Sequence, residues 1–137
     1  MQVVAVAGFS PIVRDTGASW VFYAGGLGAD FEGSASGEYV YTEKLDGVKH
    51  LGLWPLSQAA QACFGTRDWP RDIPVPQATI EFEVDAVEQV AAAAHELESG
   101  GYQLIHQART EPWNQTITRL LSPEGLLVGV CYTPSFY

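Results

Sequence analysis

Positive charge is scarce in this sequence: seven Lys and Arg stand against sixteen Asp and Glu, a formal charge of −9 at neutral pH. Seven scattered cations form no basic stripe to displace counterions from a phosphate backbone, so a nucleic-acid partner is not expected and a neutral or cationic ligand is favoured. No run of 18 apolar residues exists to span a bilayer, so no membrane partner is expected either. The apolar start, Met1 to Ala7, is short and lacks a basic n-region; it reads as a first strand and not as a secretory leader, which points to the cytoplasm. Cysteine is limited to Cys63 and Cys131, without the close spacing of a structural zinc site, and two buried thiols are the expectation in a reducing compartment. P-loops and nucleophile elbows are missing, and Gly25-Gly26-Leu27-Gly28 follows a helical stretch, not the strand a dinucleotide fingerprint requires.

What is present is apolar matter in ordered segments. With 47% apolar and 17% charged residues the chain is too apolar for disorder, and its 137 residues are enough for a globular, soluble fold. Val3 to Val13 is rich in β-branched residues and carries Pro11, which predicts a strand at an edge or one broken by a bulge. Asp15 or Thr16 caps a helix whose apolar side holds Trp20, Phe22, Tyr23 and Leu27 and which the glycine cluster stops. A short strand near Asp30 to Gly33 follows, then another over Glu38 to Leu45. The Asp46-Gly47 pair signals a hairpin into Val48 to Trp54, where alternation puts His50, Gly52 and Trp54 on one face and Leu51 and Leu53 on the other.

Ser57 to Phe64 is a short helical piece, and residues 65–76, with three prolines and Trp69, form a stiff connector. The second half repeats the plan: an alternating strand from Ala78 to Asp85, a helix through Val87, Val90, Ala91, Ala94 and Leu97 ending at Gly100-Gly101, and a strand from Tyr102 to Ala108. A last hairpin turns at Pro123 and Gly125, where proline fixes φ and glycine tolerates the positive φ of the reversal. Leu126 to Tyr132 is almost wholly apolar and should be a strand buried on both faces. The expected organisation is a first βαβββ module over 1–64, the connector 65–76 and a second module over 77–137.

Three segments in this order carry a resemblance. The Val13-Arg14-Asp15 helix entry, the Trp20 to Gly28 segment and the Ser122-Pro123-Glu124-Gly125 turn resemble the vicinal oxygen chelate superfamily, which includes glyoxalase I, extradiol dioxygenases and bleomycin-resistance proteins. The resemblance implies an α+β fold of two paired βαβββ modules forming a cup-shaped, partly open mixed sheet with helices on its outer face. In metal-dependent members, four side chains from the cup hold a divalent ion. The matching positions here are Gly8, Thr79 (Ala78 if the register slips by one) and Gly129, with His50 available for the fourth. Glycine offers no donor and a Thr hydroxyl is a poor one, so neither a metal nor any other cofactor is expected.

The resemblance is therefore closest to the metal-free, antibiotic-binding members. It implies antibiotic resistance by sequestration of a bulky aromatic or cationic drug, in a homodimer with sites at the subunit interface. By strand parity Ser10, Thr79, Glu81, Glu83, Leu127 and Cys131 point inward, and the glycines at 8 and 129 would clear room for a guest. Glu81 either meets a basic ligand group or pairs with Arg119. Trp54, Trp69, Trp113, Tyr39, Tyr41 and His50 are the candidate stacking residues. Two alternatives remain open. One is a metal-dependent lyase, isomerase or dioxygenase of the glyoxalase type, with His50, His106, Glu81 and Glu111 as ligands; the other is a non-catalytic metabolite-binding accessory protein.

Overall fold

The computed structural model describes residues 1–33 and 38–137. It divides into two compact units, one of Gly8–Thr79 and one of Met1–Ala7 with Ile80–Tyr137.

In the Gly8–Thr79 unit the elements follow as β1 (Ala5–Val13, entered from the other unit), α1 (Thr16–Trp20), β2 (Val40–Thr42), β3 (Leu51–Pro55) and α2 (Leu56–Phe64). Asp15 caps α1, its carboxylate accepting from the Ala18 amide at 3.0 Å. The expected single helix changes pitch beyond Trp20: Val21–Gly26 is a π-helical stretch, and Leu27 N donates to Phe22 O, five residues back. The strand expected near Asp30 to Gly33 is reduced to one bridge between Glu32 and Tyr41, and that over Glu38 to Leu45 to the three residues of β2. β3 pairs antiparallel with β2 and parallel with β1.

Pro11 does not mark an edge. Phe9, Ile12 and Val13 stand opposite Leu51, Trp54 and Pro55 with a constant offset, and the Ile12 amide on the other side donates to Gln77 O at 2.9 Å, so there is neither a bulge nor a free edge here. A single proline is tolerated because it deletes one donor while its neighbours keep the ladder. Val13, Phe31, Val40 and Leu53 form the core of this unit, with Trp20, Tyr23 and Leu51 packed on it.

In the second unit β4 (Ala78–Glu83, entered from the first), α3 (Glu88–Ser99), β5 (Leu104–Thr110), β6 (Thr116–Leu121) and β7 (Leu127–Tyr132) follow the same order with one full strand more. The helix expected from Asp85 begins at Glu88, after a turn in which Gln89 N and Val90 N donate to Ala86 O and Val87 O. The final hairpin closes as expected: Gly125 has φ 90°, and its amide donates to Ser122 O at 2.9 Å. Leu126 N adds a bond to Ser122 Oγ at 3.0 Å, so the serine reinforces the turn. Val84, Val90, Ala93 and Val130 build a core between α3 and the sheet, and Ala7, Ile117 and Cys131 a second on the strands.

Strand order is β2-β3-β1 in the first unit and β4-β7-β6-β5 in the second, so each first strand lies beside the last strand of its module. Among the described residues the seven strands and three α-helices are those of a fold of the mixed, open-sheet α+β class. Among the described residues no helix is long and apolar enough to cross a membrane.

Candidate ligand-binding site

The β2/β3 hairpin builds the more chemically equipped of two polar clusters. Its register sets Tyr41 opposite Gly52 and Val40 opposite Leu53. Alternation then sends Val40 and Leu53 to the core and Tyr39, Tyr41 and Gly52 to the other face. His50, just before β3, joins them. The rings of Tyr39, Tyr41 and His50 are nearly parallel: Tyr41 and His50 lie 5.0 Å apart at 11°, Tyr39 and Tyr41 6.0 Å apart at 17°, and Tyr39 and His50 5.9 Å apart at 7°.

Hydrogen bonds fix this group. His50 Nδ1 is 3.0 Å from Glu43 Oε2, and His50 Nε2 is 2.5 Å from Tyr39 Oη. A Cβ at Gly52 would overlap the Tyr39 hydroxyl and lie 2.8 Å from Ser10 Oγ, so the bare glycine lets both hydroxyls settle over the strand. Tyr41 is held differently. Its hydroxyl is hydrogen-bonded to Glu32, and that bond, the Glu32 charge, burial and the Glu43 charge raise its pKa above the usual tyrosine value. Tyr39, Tyr41 and His50 are half-buried, so aromatic surface and two carboxylates are presented together.

In the other unit, parity places Gly129 on the face of Ile117, Arg119 and Cys131. The room expected there is already filled. A Cβ at Gly129 would stand 2.7 Å from Ile117 Cδ1 and 3.3 Å from Glu81 Cγ. Glu81 does not pair with Arg119: its Oε1 accepts from Gln115 Nε2 at 3.0 Å, and Gln115 Oε1 accepts from the Trp113 indole at 2.9 Å. Arg119, fully buried, instead donates through Nη1 to Glu111 Oε1 at 3.2 Å and to His106 Nε2 at 3.0 Å. Arg109 Nε joins Glu111 Oε1 at 2.7 Å.

His106 Nδ1 lies 2.7 Å from Gln107 O. A carbonyl only accepts and a guanidinium only donates, so Nδ1 carries the proton, Nε2 is bare and the ring is neutral. Burial, chiefly, with the Arg119 and Arg109 charges, lowers the His106 pKa against the opposing pull of the Gln107 carbonyl and of Glu111. The fully buried Glu83 accepts from Thr133 N at 2.7 Å, Thr133 Oγ1 at 2.9 Å and Tyr137 Oη at 3.3 Å, tying down the chain after β7.

The structure thus brings Ser10, Tyr39, Tyr41 and His50 together in one unit, and Glu81 and Trp113 in the other. Trp113 remains 55% exposed. Trp54 and Thr79 are buried, and Leu127 is fully buried. Trp69 packs edge-on against Phe64, donates to Ile73 O at 2.9 Å, and lines a crevice of about 830 Å³ with Arg14, Arg67 and Ser57. Glu32, Glu43, Gly52 and Gln115 are site residues that reading the sequence missed. For Glu43 a signal existed: a two-residue turn at Asp46-Gly47 sets position 43 across from position 50.

The divalent ion of metal-dependent relatives does not fit this donor set. Gly8 and Gly129 supply no side-chain ligand atom, and the space a side chain at 129 would use is occupied. Of the alternative ligands, His106 and Glu111 both engage the cationic Arg119. Among the described residues no group of three or more His, Cys, Asp or Glu is arranged to hold a metal.

A βαββ arrangement, with the Glu32–Tyr41 bridge where a further strand would stand, and a βαβββ arrangement, each with its first strand beside its last, point to one class of protein. Residues 8–130 match the family model described as the Glyoxalase/Bleomycin resistance protein/Dioxygenase superfamily, and the chain belongs to that superfamily. No curated protein matches the sequence. Among solved structures, a superfamily member from Vibrio splendidus is similar with a TM-score of 0.58 at 17% identity, covering 96% of this chain and 100% of its own. Methylmalonyl-CoA epimerase from Mycobacterium tuberculosis is similar with a TM-score of 0.56 at 15% identity, covering 98% and 91%. A Legionella pneumophila structure described as NAD-dependent benzaldehyde dehydrogenase is similar with a TM-score of 0.59 at 15% identity, covering 91% and 96%. Different activities are named at equal likeness, so the resemblance shows fold alone.

Proposed function

We propose that this protein binds a bulky aromatic or cationic small molecule and confers antibiotic resistance by sequestering it. The observation that carries the reading is the group of near-parallel Tyr39, Tyr41 and His50 rings with the Glu32 and Glu43 carboxylates beside it. Half-buried aromatic faces attract planar and cationic groups, each contact contributing about 0.5–1.5 kcal/mol beyond burial of area. The carboxylates and the overall charge of −9 favour a cation. The lack of donors at Gly8 and Gly129 is in keeping with binding in place of metal chemistry.

The reading includes a homodimer with the binding sites at the subunit interface. Val21, Phe22 and Leu27, 68%, 57% and 66% exposed, offer apolar surface for a second copy. Residence in the cytoplasm accords with two buried cysteine thiols. The test is a fluorescence titration with a panel of planar and cationic antibiotics, on the native protein and on Tyr41→Ala. Saturable quenching that weakens at least severalfold in the variant supports the reading; a panel without saturable quenching removes it.

A further inference from the structure

Binding alone does not require the hydrogen bonds that link Glu43 through His50 to Tyr39, and we propose that Glu43, His50 and Tyr39 form a proton relay that makes the Tyr39 hydroxyl a general base toward a bound ligand. Glu43 Oε2 is an acceptor, so the proton between it and His50 resides on Nδ1. That leaves a lone pair on Nε2, 2.5 Å from Tyr39 Oη, and the phenol donates to it. Carboxylate, imidazole and hydroxyl in this order are the arrangement by which a neutral hydroxyl is activated: the carboxylate orients the ring and stabilises the imidazolium, and the ring takes the proton.

Tyr41 supplies an internal contrast. Equally aromatic, and two residues away on the same face, it gives its hydroxyl to Glu32, and its pKa is raised. A phenol bound to a carboxylate keeps its proton; a phenol bound to a bare imidazole nitrogen can pass it on. Ser10 Oγ, which shares the space over Gly52 with Tyr39 Oη, adds a second hydroxyl to hold a ligand oxygen.

The step balances within the chain and its ligand. Tyr39 transfers its proton to His50 Nε2, the phenolate oxygen takes a proton from the ligand, and the ligand is left as an anion while Glu43 faces the imidazolium. The ligand class is a small molecule with a weakly acidic proton, on a hydroxyl or on carbon beside a carbonyl. This assignment is independent of the sequestration reading, since that reading needs the rings and not the relay.

A hydroxyl that can shed its proton is also nucleophilic, which gives a test without the natural ligand. Phenylmethanesulfonyl fluoride reacting there forms the Tyr39 O–S bond, releases fluoride and leaves the proton on His50. Peptide mass spectrometry of the intact, folded chain is expected to find Tyr39 labelled at least tenfold faster than Tyr41. His50→Gln and Glu43→Gln, checked for native circular dichroism, are expected to slow Tyr39 labelling tenfold and severalfold respectively. His50→Gly is expected to regain labelling on addition of imidazole. Equal labelling of the two tyrosines, no labelling of Tyr39, or a rate unchanged in His50→Gln overturns the relay.

Discussion

Ile117 occupies the space that a side chain at Gly129 would need: a Cβ there would lie 2.7 Å from Ile117 Cδ1, with Glu81 Cγ at 3.3 Å on another side. The superfamily resemblance places a metal-binding carboxylate at this position, and here the glycine is matched by a neighbour that has grown into the gap. Gly129→Glu is therefore expected to destabilise the fold by about 1–3 kcal/mol, the usual cost of overpacking. The obstructing atom is the end of a flexible side chain, so Gly129→Ala should cost less, and Ile117→Ala should recover part of the loss in the Glu variant. Thermal denaturation of the four proteins decides it; a Glu variant as stable as the parent would mean the gap is real.

Glu111 neutralises a guanidinium that has no access to water. Arg119 is fully buried, and Glu111 Oε1 accepts from it at 3.2 Å and from Arg109 at 2.7 Å. Removing one partner of a buried pair strands the other, at a cost of about 3–5 kcal/mol. Glu111→Ala is thus expected to shift the urea midpoint strongly, and the Glu111→Leu/Arg119→Met double variant much less. Similar losses in both proteins would show that packing, not charge, matters there.

His106 gives the stability a dependence on pH. Its folded pKa lies below the 6.5 of the unfolded chain, chiefly because of burial. The unfolded chain therefore takes up this proton first as pH falls. The contribution is whole above pH 6.5 and is lost progressively as pH drops from there toward the lowered folded value. Urea unfolding between pH 7.5 and 5 should show stability declining with acid, and His106→Asn should flatten this part of the profile. An unchanged slope in the variant would assign the pH dependence to other groups.

Both cysteines should be inert in the native state. Cys63 and Cys131 are buried, and burial with the nearby Glu81 and Glu83 charges holds the Cys131 thiol far above the usual range. Thiolate is the reactive form. An aromatic disulfide reagent is expected to release no chromophore from the folded protein and two equivalents per chain in denaturant. Fast reaction before unfolding would place a thiol at the surface.

The sequence by itself determined the order of elements, because apolar periodicity, the Asp15 cap and the turn residues Asp46-Gly47 and Pro123-Gly125 act over a few residues. It also determined the polar hairpin cluster: two residues at a turn fix a register, so Glu43 opposite His50, Tyr41 opposite Gly52 and the shared face were all implied by Asp46-Gly47. Pro11 misled because a strand's place in a sheet depends on which segments pair beside it, and those come from 40 and more residues away. Only the tertiary structure decided that Glu81 meets Gln115 in place of Arg119, that Arg119 is buried against Glu111 and His106, and that Ile117 closes the gap at Gly129. Side chains from different strands compete for such partners and volumes, and the outcome depends on distances in space that no local pattern encodes.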